Sequence, residues 1–505
     1  MCCGSFPACC PAKRRSTRKA AADSTGGTRQ MPFISATFAV FFTAFAVLYL
    51  AAARLPRHAL PAQRMLLLLG GLVFYAAADI RFLPFLLWCT AVTYIAGRCC
   101  KKRAAFAAFV AADLLPLLLV KYGPEGWLFP LGISFFTFQS IAYIADVHAQ
   151  RIPPEKNLLS VALLTGFFPT LSSGPIQRAP ALLPQLRRTH GFSYEDCTDG
   201  MKLFAWGMFK KLCVAGSIAP YVNFVYSAGG IQEQSALAML TATVLYSFQI
   251  YADFSGYSDM AAGVARIIGF DAGKNFDHPY LAASTGEFWR RWHISLSSWL
   301  RDYVYIPLGG SRVALPRICV NLLLTFLVSG LWHGSSWNFV LWGLLHGLYQ
   351  CAGRLSRTYL PRLRLPAPAR IPVTFCLVTF SWIFFRAGSL DDAIFAVRKL
   401  LSLPAEIAAF PALAAAQGLK DALWKTFSLV VFQEGAATGL AGIAVPLALL
   451  VCAELASRNE GGLALVRRQP AAIRWAAYIL LLLALLDTLL STRTSWSADF
   501  IYQNF

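Results

Sequence analysis

The chain has 505 residues, of which 57% are hydrophobic and only 14% charged, whereas soluble domains carry roughly 25% charged residues. This excludes two or three ordinary soluble domains; the mean hydropathy of +0.53 is spread over many apolar runs near the ~20 residues of a bilayer crossing, so the sequence predicts an all-α polytopic membrane protein. The net charge of +20 gives no reason to expect a nucleic-acid partner, because Lys and Arg sit in short loops between apolar runs, as membrane topology requires, and not along one continuous face.

Residues 1–30 are polar, basic and rich in small side chains, with no apolar core for a signal peptide. They are expected to be a disordered prefix, with 31–505 forming the membrane domain. The basic loop Arg54 to Arg64 and the run Arg98, Lys101, Lys102, Arg103 both suit the cytoplasmic side, which places Met31 outside. The basic prefix (Lys13, Arg14, Arg15, Arg18, Lys19) argues for the opposite side, so translation is expected to start at Met31. Cys2, Cys3, Cys9 and Cys10 have no supporting histidine, and Cys89, Cys213, Cys319, Cys376 and Cys452 lie in apolar segments; neither a metal site nor a disulfide is assigned.

Apolar helices are expected at Phe33 to Ala53, Met65 to Ala78, Phe82 to Gly97, Ala104 to Val120, Trp127 to Ile144, Leu158 to Leu171, Leu203 to Val225 and Ala236 to Ile250. Further ones follow at Ile318 to Leu331, Trp337 to Leu348, Ile371 to Phe385, Gly439 to Cys452 and Ile473 to Leu490. That makes about a dozen, several too short or too rich in Gly and Pro for a simple crossing. Re-entrant segments are therefore expected, since irregular backbone at membrane depth must be buried in protein or line a cavity.

Polar residues enter apolar surroundings at Phe129-Pro-Leu-Gly-Ile-Ser-Phe-Phe-Thr-Phe-Gln139 and Phe168-Pro-Thr-Leu-Ser-Ser-Gly-Pro-Ile-Gln-Arg178, where kinked helices with Ser and Thr bonded back to the backbone are the plain reading. In Glu287 to Tyr303, Phe288, Trp292, Leu296, Trp299 and Tyr303 recur at helical spacing. The pattern predicts one amphipathic helix lying at the membrane interface, with His293 on its polar side and Arg290, Arg291 and Arg301 charged. The next helix ends in Gly330-Leu-Trp-His-Gly334, which puts His333 after a dozen mostly apolar residues, and His346 follows one helix later. An ionisable group at such depth usually faces an interior cavity. Imidazole can accept a hydroxyl proton at neutral pH, which makes His333 a candidate general base beside the alternative of a packing histidine. The chain has no G-x-S-x-G, H-E-x-x-H or Walker A motif.

Taken with Gly174-Pro-Ile-Gln-Arg, Asp253-Phe-Ser-Gly-Tyr-Ser-Asp259, Asn275-Phe, Leu300-Arg-Asp-Tyr-Val-Tyr-Ile-Pro-Leu-Gly-Gly310 and Trp382-Ile-Phe-Phe-Arg-Ala387, these motifs resemble the membrane-bound O-acyltransferase (MBOAT) family. The likeness is to its bacterial branch of alginate O-acetyltransferases and D-alanyl-teichoic-acid transfer proteins. The resemblance implies a ring of transmembrane and re-entrant helices around a central tunnel. It makes His333 the catalytic histidine and His293 the second polar residue, at a position other branches fill with Asn or Asp. It further implies transfer of an acyl group, acetyl above all, from a cytosolic thioester such as acetyl-CoA to an extracytoplasmic glycan, with no bound cofactor. A periplasmic acyltransferase partner and a location in the bacterial cytoplasmic membrane belong to the same expectation.

On this reading Arg290, Arg291 and Arg301 attract the anionic donor, or else anionic lipid headgroups. The terminal Phe500-Ile-Tyr-Gln-Asn-Phe505 partly resembles an F-x-Y-F-x-F pattern, making Tyr502 either an acyl relay or an interfacial anchor. A transporter or export component for a polysaccharide or lipid carrier, without acyl chemistry, is the alternative.

Overall fold

The computed structural model describes residues 31–124, 129–227, 230–360, 365–428 and 440–491; the expectations for the prefix and for Tyr502 fall outside them. Among the described residues all regular structure is helical. The first four long helices are α1 (Ala36–Ala52), α2 (Ala59–Ala78), α3 (Leu83–Cys99) and α4 (Arg103–Tyr122). Ser35 starts α1, its hydroxyl accepting from the Phe38 amide at 3.0 Å and satisfying one of the orphan donors of a helix start. Val40, Leu69, Leu87 and Leu115 point outward on these helices and are exposed, as side chains meeting lipid should be.

Among the described residues seven helices are long and apolar enough for a full crossing, α2 and α4 among them. The rest of the expected dozen are shorter or carry charge. Helix α5 (Ile133–His148) is buried along almost its whole length. It begins at Gly132, whose φ of +70° is the left-handed region and whose missing Cβ would lie 2.1 Å from the Leu171 carbonyl oxygen. Only glycine fits there on both counts, so the two helix-breaking motifs of the sequence meet at this point. Helix α6 (Leu158–Thr165) and the short helix Phe168–Leu171 complete that layer.

The centre of the molecule is built on α7 (Tyr194–Met208), a π-turn over Phe209–Ala215, α8 (Gly216–Val225) and α9 (Ala236–Ile267). The sequence placed the end of this last helix at Ile250; it runs on through Asp253 and Asp259, for 32 residues, or about 48 Å at the α-helical rise. Glycines at seven-residue spacing explain the approach of α7 to α9. A Cβ on Gly207 would sit 2.5 Å from the Gly256 carbonyl oxygen, and one on Gly200 2.7 Å from that of Gly263. The backbones are in contact, as in small-residue packing between membrane helices. The π-turn then lays two lysines against the same face of α9, around Gly256, where buried Lys210 pairs with Asp259 at 2.5 Å and Lys211 with Asp253. Buried charges persist only when paired in this way.

The segment expected as one interfacial amphipathic helix is two short helices, α10 (Thr285–Arg291) and α11 (Ile294–Leu300), followed by a π-turn over Arg301–Tyr305. Its apolar side chains Phe288, Trp292, Leu296 and Trp299 are buried in the core, so the segment lies inside the protein and not along a membrane surface. Helices α12 (Leu315–His333) and α13 (Trp337–Tyr359) form a tight antiparallel pair, flanked by α14 (Ala367–Arg386) and α15 (Leu390–Leu401). The chain continues through α16 (Leu440–Ser457) to α17 (Ala471–Ser491), whose Ile479, Leu480, Leu482 and Leu483 all face outward.

Candidate active site

His333 is the last residue of α12, and its burial follows from how that helix ends. Gly334 leaves the helix in an extended conformation, and Ser336 caps α13 by accepting from the Asn338 amide at 3.3 Å. The reversal is tight because glycines stand at the crossing. A Cβ on Gly330 would meet the Phe339 carbonyl oxygen at 2.3 Å, and one on Gly343 the Phe326 carbonyl oxygen at 2.3 Å. As a result Trp342 and His346, four residues apart and so on one face of α13, stand over His333. The imidazole of His333 is enclosed edge to face by Trp332, Trp342 and Phe385, with ring centroids at 4.7, 4.9 and 5.2 Å.

His293 occupies the break between α10 and α11, with φ 43° and ψ 56°. Non-glycine residues seldom adopt this left-handed conformation, and Asn, Asp and His are enriched among those that do. Its ring packs edge to face on Phe254 at 4.7 Å and reaches Trp332 at 6.1 Å. His293 and His333 thus pack against the same indole. Asn275 holds the break in place: its carbonyl accepts from the Ile294 amide at 2.9 Å, and its side-chain Oδ1 accepts from the Ser295 amide at 3.2 Å and hydroxyl at 2.9 Å. The same oxygen lies 3.1 Å from His293 Nδ1.

His346 completes a row of imidazoles and indoles. It packs on Trp342 at 4.9 Å, and the Trp289 indole N–H donates to its Nδ1 at 3.2 Å. An indole nitrogen can only donate, so Nδ1 carries no proton and, in the neutral ring, the proton is on Nε2.

The end of α12 is secured from outside the pair. Helix termini leave their last carbonyls without partners, and the final residues of α4 supply donors. Half-buried Lys121 donates to the Trp332 carbonyl and Tyr122 to that of Leu331 at 2.7 Å. On sequence grounds Lys121 had no role beyond ending an apolar run. Nor was a role assigned to Asn275, although Asn275-Phe is among the motifs that carry the resemblance.

The three arginines are not equivalent. Arg291 pairs with Glu287 at 2.6 Å and Arg301 with Asp302 at 2.8 Å, so their charges are already answered. Arg290 is exposed and, among the described residues, shows no ion pair. Of the expected donor-side cluster, then, one cation stays uncompensated.

The other motifs are brought together around this centre. Tyr257 of the Asp253–Asp259 motif bonds Ser172 at 2.5 Å, and Ser258 accepts from Asn275 Nδ2 at 3.2 Å. Gln177 donates to the Ala272 carbonyl at 2.9 Å. Trp382 of α14 stacks on Trp342 at 5.9 Å. Residues from several of the motifs quoted for the family resemblance are therefore brought together around this centre, while Arg301–Tyr305 of the Leu300–Gly310 motif holds no buried residue.

A buried helix-terminal histidine, a second imidazole on the same indole and a multi-pass helical frame define a membrane-embedded enzyme-like centre. Residues 157–390 match the model of MBOAT, the membrane-bound O-acyltransferase family. The chain is 40% identical over 287 residues to a probable alginate O-acetylase of Azotobacter vinelandii, covering 56% of each protein. It is 36% identical over 361 residues to one of Pseudomonas aeruginosa, covering 66% of this chain and 68% of that protein. A peptidoglycan O-acetyltransferase of Helicobacter pylori is 35% identical over 307 residues, covering 55% of this chain and 57% of the relative. The chain belongs to the membrane-bound O-acyltransferase family. The alignment spans little more than half of the Azotobacter relative.

Proposed function

We propose that this protein transfers an acyl group, acetyl above all, from a cytosolic thioester such as acetyl-CoA to a hydroxyl bound for an extracytoplasmic polysaccharide. The observation that carries the reading is the placement of His333: a buried imidazole at the end of a membrane helix, sharing Trp332 with His293, in a chain of this family. His333 takes the proton of the acceptor hydroxyl. The hydroxyl oxygen bonds to the thioester carbonyl carbon, the carbon–sulfur bond breaks, and the proton passes to the leaving sulfur, which departs as a thiol. General-base help of this kind is worth about 10²- to 10⁴-fold. The alginate and peptidoglycan activities in the relatives' names point to a surface glycan as the final acceptor, reached through a periplasmic acyltransferase partner, and to the bacterial cytoplasmic membrane as the location. No resident cofactor enters the scheme.

The test is thiol release from acetyl-CoA by the full chain in lipid nanodiscs with a soluble saccharide acceptor, together with mass spectrometry of the acceptor. Acylated product and stoichiometric thiol are expected, and His333→Ala should abolish both while leaving thermal stability in detergent unchanged. Binding of the glycan without any thioester consumption would favour the export reading instead.

A further inference from the structure

The break between α10 and α11 fixes more than the position of His293. Asn275 Oδ1 is identified as the oxygen of its carboxamide because it receives the Ser295 amide N–H at 3.2 Å, and a backbone amide can only donate. The Asn275 Nδ2 group is then the one that donates to Ser258 Oγ, at 3.2 Å. A carbonyl oxygen 3.1 Å from His293 Nδ1 can only accept, so Nδ1 carries the proton. In the neutral ring this leaves a lone pair on Nε2, and Nε2 is buried with no hydrogen-bond partner among the described residues.

The neighbouring imidazole is held the other way. Trp289 donates to His346 Nδ1 at 3.2 Å, which puts the His346 proton on Nε2. Two histidines that look alike in the sequence, one packed on Trp332 and the other on Trp342 beside His333, are thus set in opposite tautomers, each by a partner whose own hydrogen-bonding sense cannot be reversed.

We infer that Asn275 is a positioning residue that fixes His293 as the Nδ1–H tautomer, so that His293 Nε2 serves the reaction centre as a hydrogen-bond acceptor. Neutral His293 then cannot polarise the thioester carbonyl, which needs a donor. It receives an N–H or O–H of the substrate instead, either an amide of the donor's thiol arm or the acceptor hydroxyl. The part that concerns catalysis rests on the acyl-transfer reading; the tautomer does not.

The experiment uses the full chain with ¹⁵N-labelled histidine in lipid nanodiscs, where imidazole nitrogen shifts separate protonated from bare nitrogens. His293→Asn identifies the resonance of His293 by its loss. The parent should show Nδ1 protonated and Nε2 bare. Asn275→Ala should bring in the Nε2–H form and lower kcat by between about tenfold and about 10⁴-fold, the upper figure being what a wrong tautomer costs a triad histidine. Asn275→Asp, whose carboxylate offers the same acceptor to Nδ1–H and to Ser295, should keep the parent spectrum and recover most of kcat. A parent spectrum with Nε2–H, or with both nitrogens protonated, overturns the inference. So does an Asn275→Ala protein with unchanged spectrum and kcat. If Asn275→Ala does not fold, the parent and Asp spectra still decide. The expected parent spectrum in a protein that consumes no thioester would overturn the proposed function alone.

Discussion

Gly343→Ala separates packing at the site from chemistry at the site, because Gly343 carries no functional group. A Cβ there would stand 2.3 Å from the Phe326 carbonyl oxygen and 3.3 Å from Gly330 Cα. Carbon and carbonyl oxygen essentially never approach closer than 3.0 Å, so α13 has to withdraw from α12 by at least about 0.7 Å, and the atom in the way is backbone that cannot rotate aside. His333, Trp342 and His346 are carried on these two helices. A misplacement near 1 Å costs about 10²-fold in rate when groups must meet in one geometry, and overpacking a close-packed crossing typically costs 1–3 kcal/mol. The expected result is therefore about a 10²-fold fall in kcat for thiol release, with a lowered melting temperature in detergent. Gly353→Ala on the same helix is the control: nothing lies within 4 Å of its Cβ position, and alanine improves helix propensity by up to about 1 kcal/mol. Parent-like kcat in Gly343→Ala, or equal damage from both substitutions, would refute the link between this crossing and His333.

Lys121→Met removes the donor to the Trp332 carbonyl, one residue before His333; a hydrogen bond of this kind is worth up to about 1.5 kcal/mol, so transfer should fall about tenfold, and partial recovery in Lys121→Arg would distinguish the cap from side-chain bulk. Lys211→Met takes the cation away from buried Asp253 and should cost about 3–5 kcal/mol, read as a lost or strongly lowered thermal transition; Lys211→Met with Asp253→Asn should regain much of it, and additive losses would count against the pair. Tyr502 lies outside the described residues, and Tyr502→Phe separates its two readings by keeping the aromatic anchor while removing the nucleophilic oxygen. Reduced glycan acylation with intact thioester hydrolysis, and an acyl adduct on the C-terminal peptide of the parent, are expected of a relay; full acylation by the variant leaves an anchor.

Fold class was legible because it depends on local composition: apolar runs of bilayer length and basic loops need no tertiary information. The burial of His333 was legible for a related reason, since it is an ionisable residue at the end of an apolar run. His293 was found but misplaced on a continuous helix. The apolar spacing of Phe288, Trp292, Leu296 and Trp299 persists through the break, which is imposed by hydrogen bonds to Asn275, eighteen residues earlier. Long-range acceptors leave no periodic trace. Helix α9 was cut short at Ile250 for the converse reason, since Asp253 and Asp259 look incompatible with a buried helix until Lys210 and Lys211 are brought against them by the π-turn. Arg291 and Arg301 were read as available charge because their carboxylate partners, Glu287 and Asp302, were not considered with them.

The left-handed backbone at residue 293 also limits which side chains can be tried there. At φ 43°, β-branched residues are excluded by steric clash and most others are disfavoured, while Asn, Asp and His are tolerated. These are the residue types that the family resemblance implies across branches at this position. Glycine would suit the backbone and contribute no chemistry; Glu, Gln or Lys would contribute chemistry at the cost of strain. Main-chain conformation alone thus narrows what residue 293 can be, before any chemistry is asked of it.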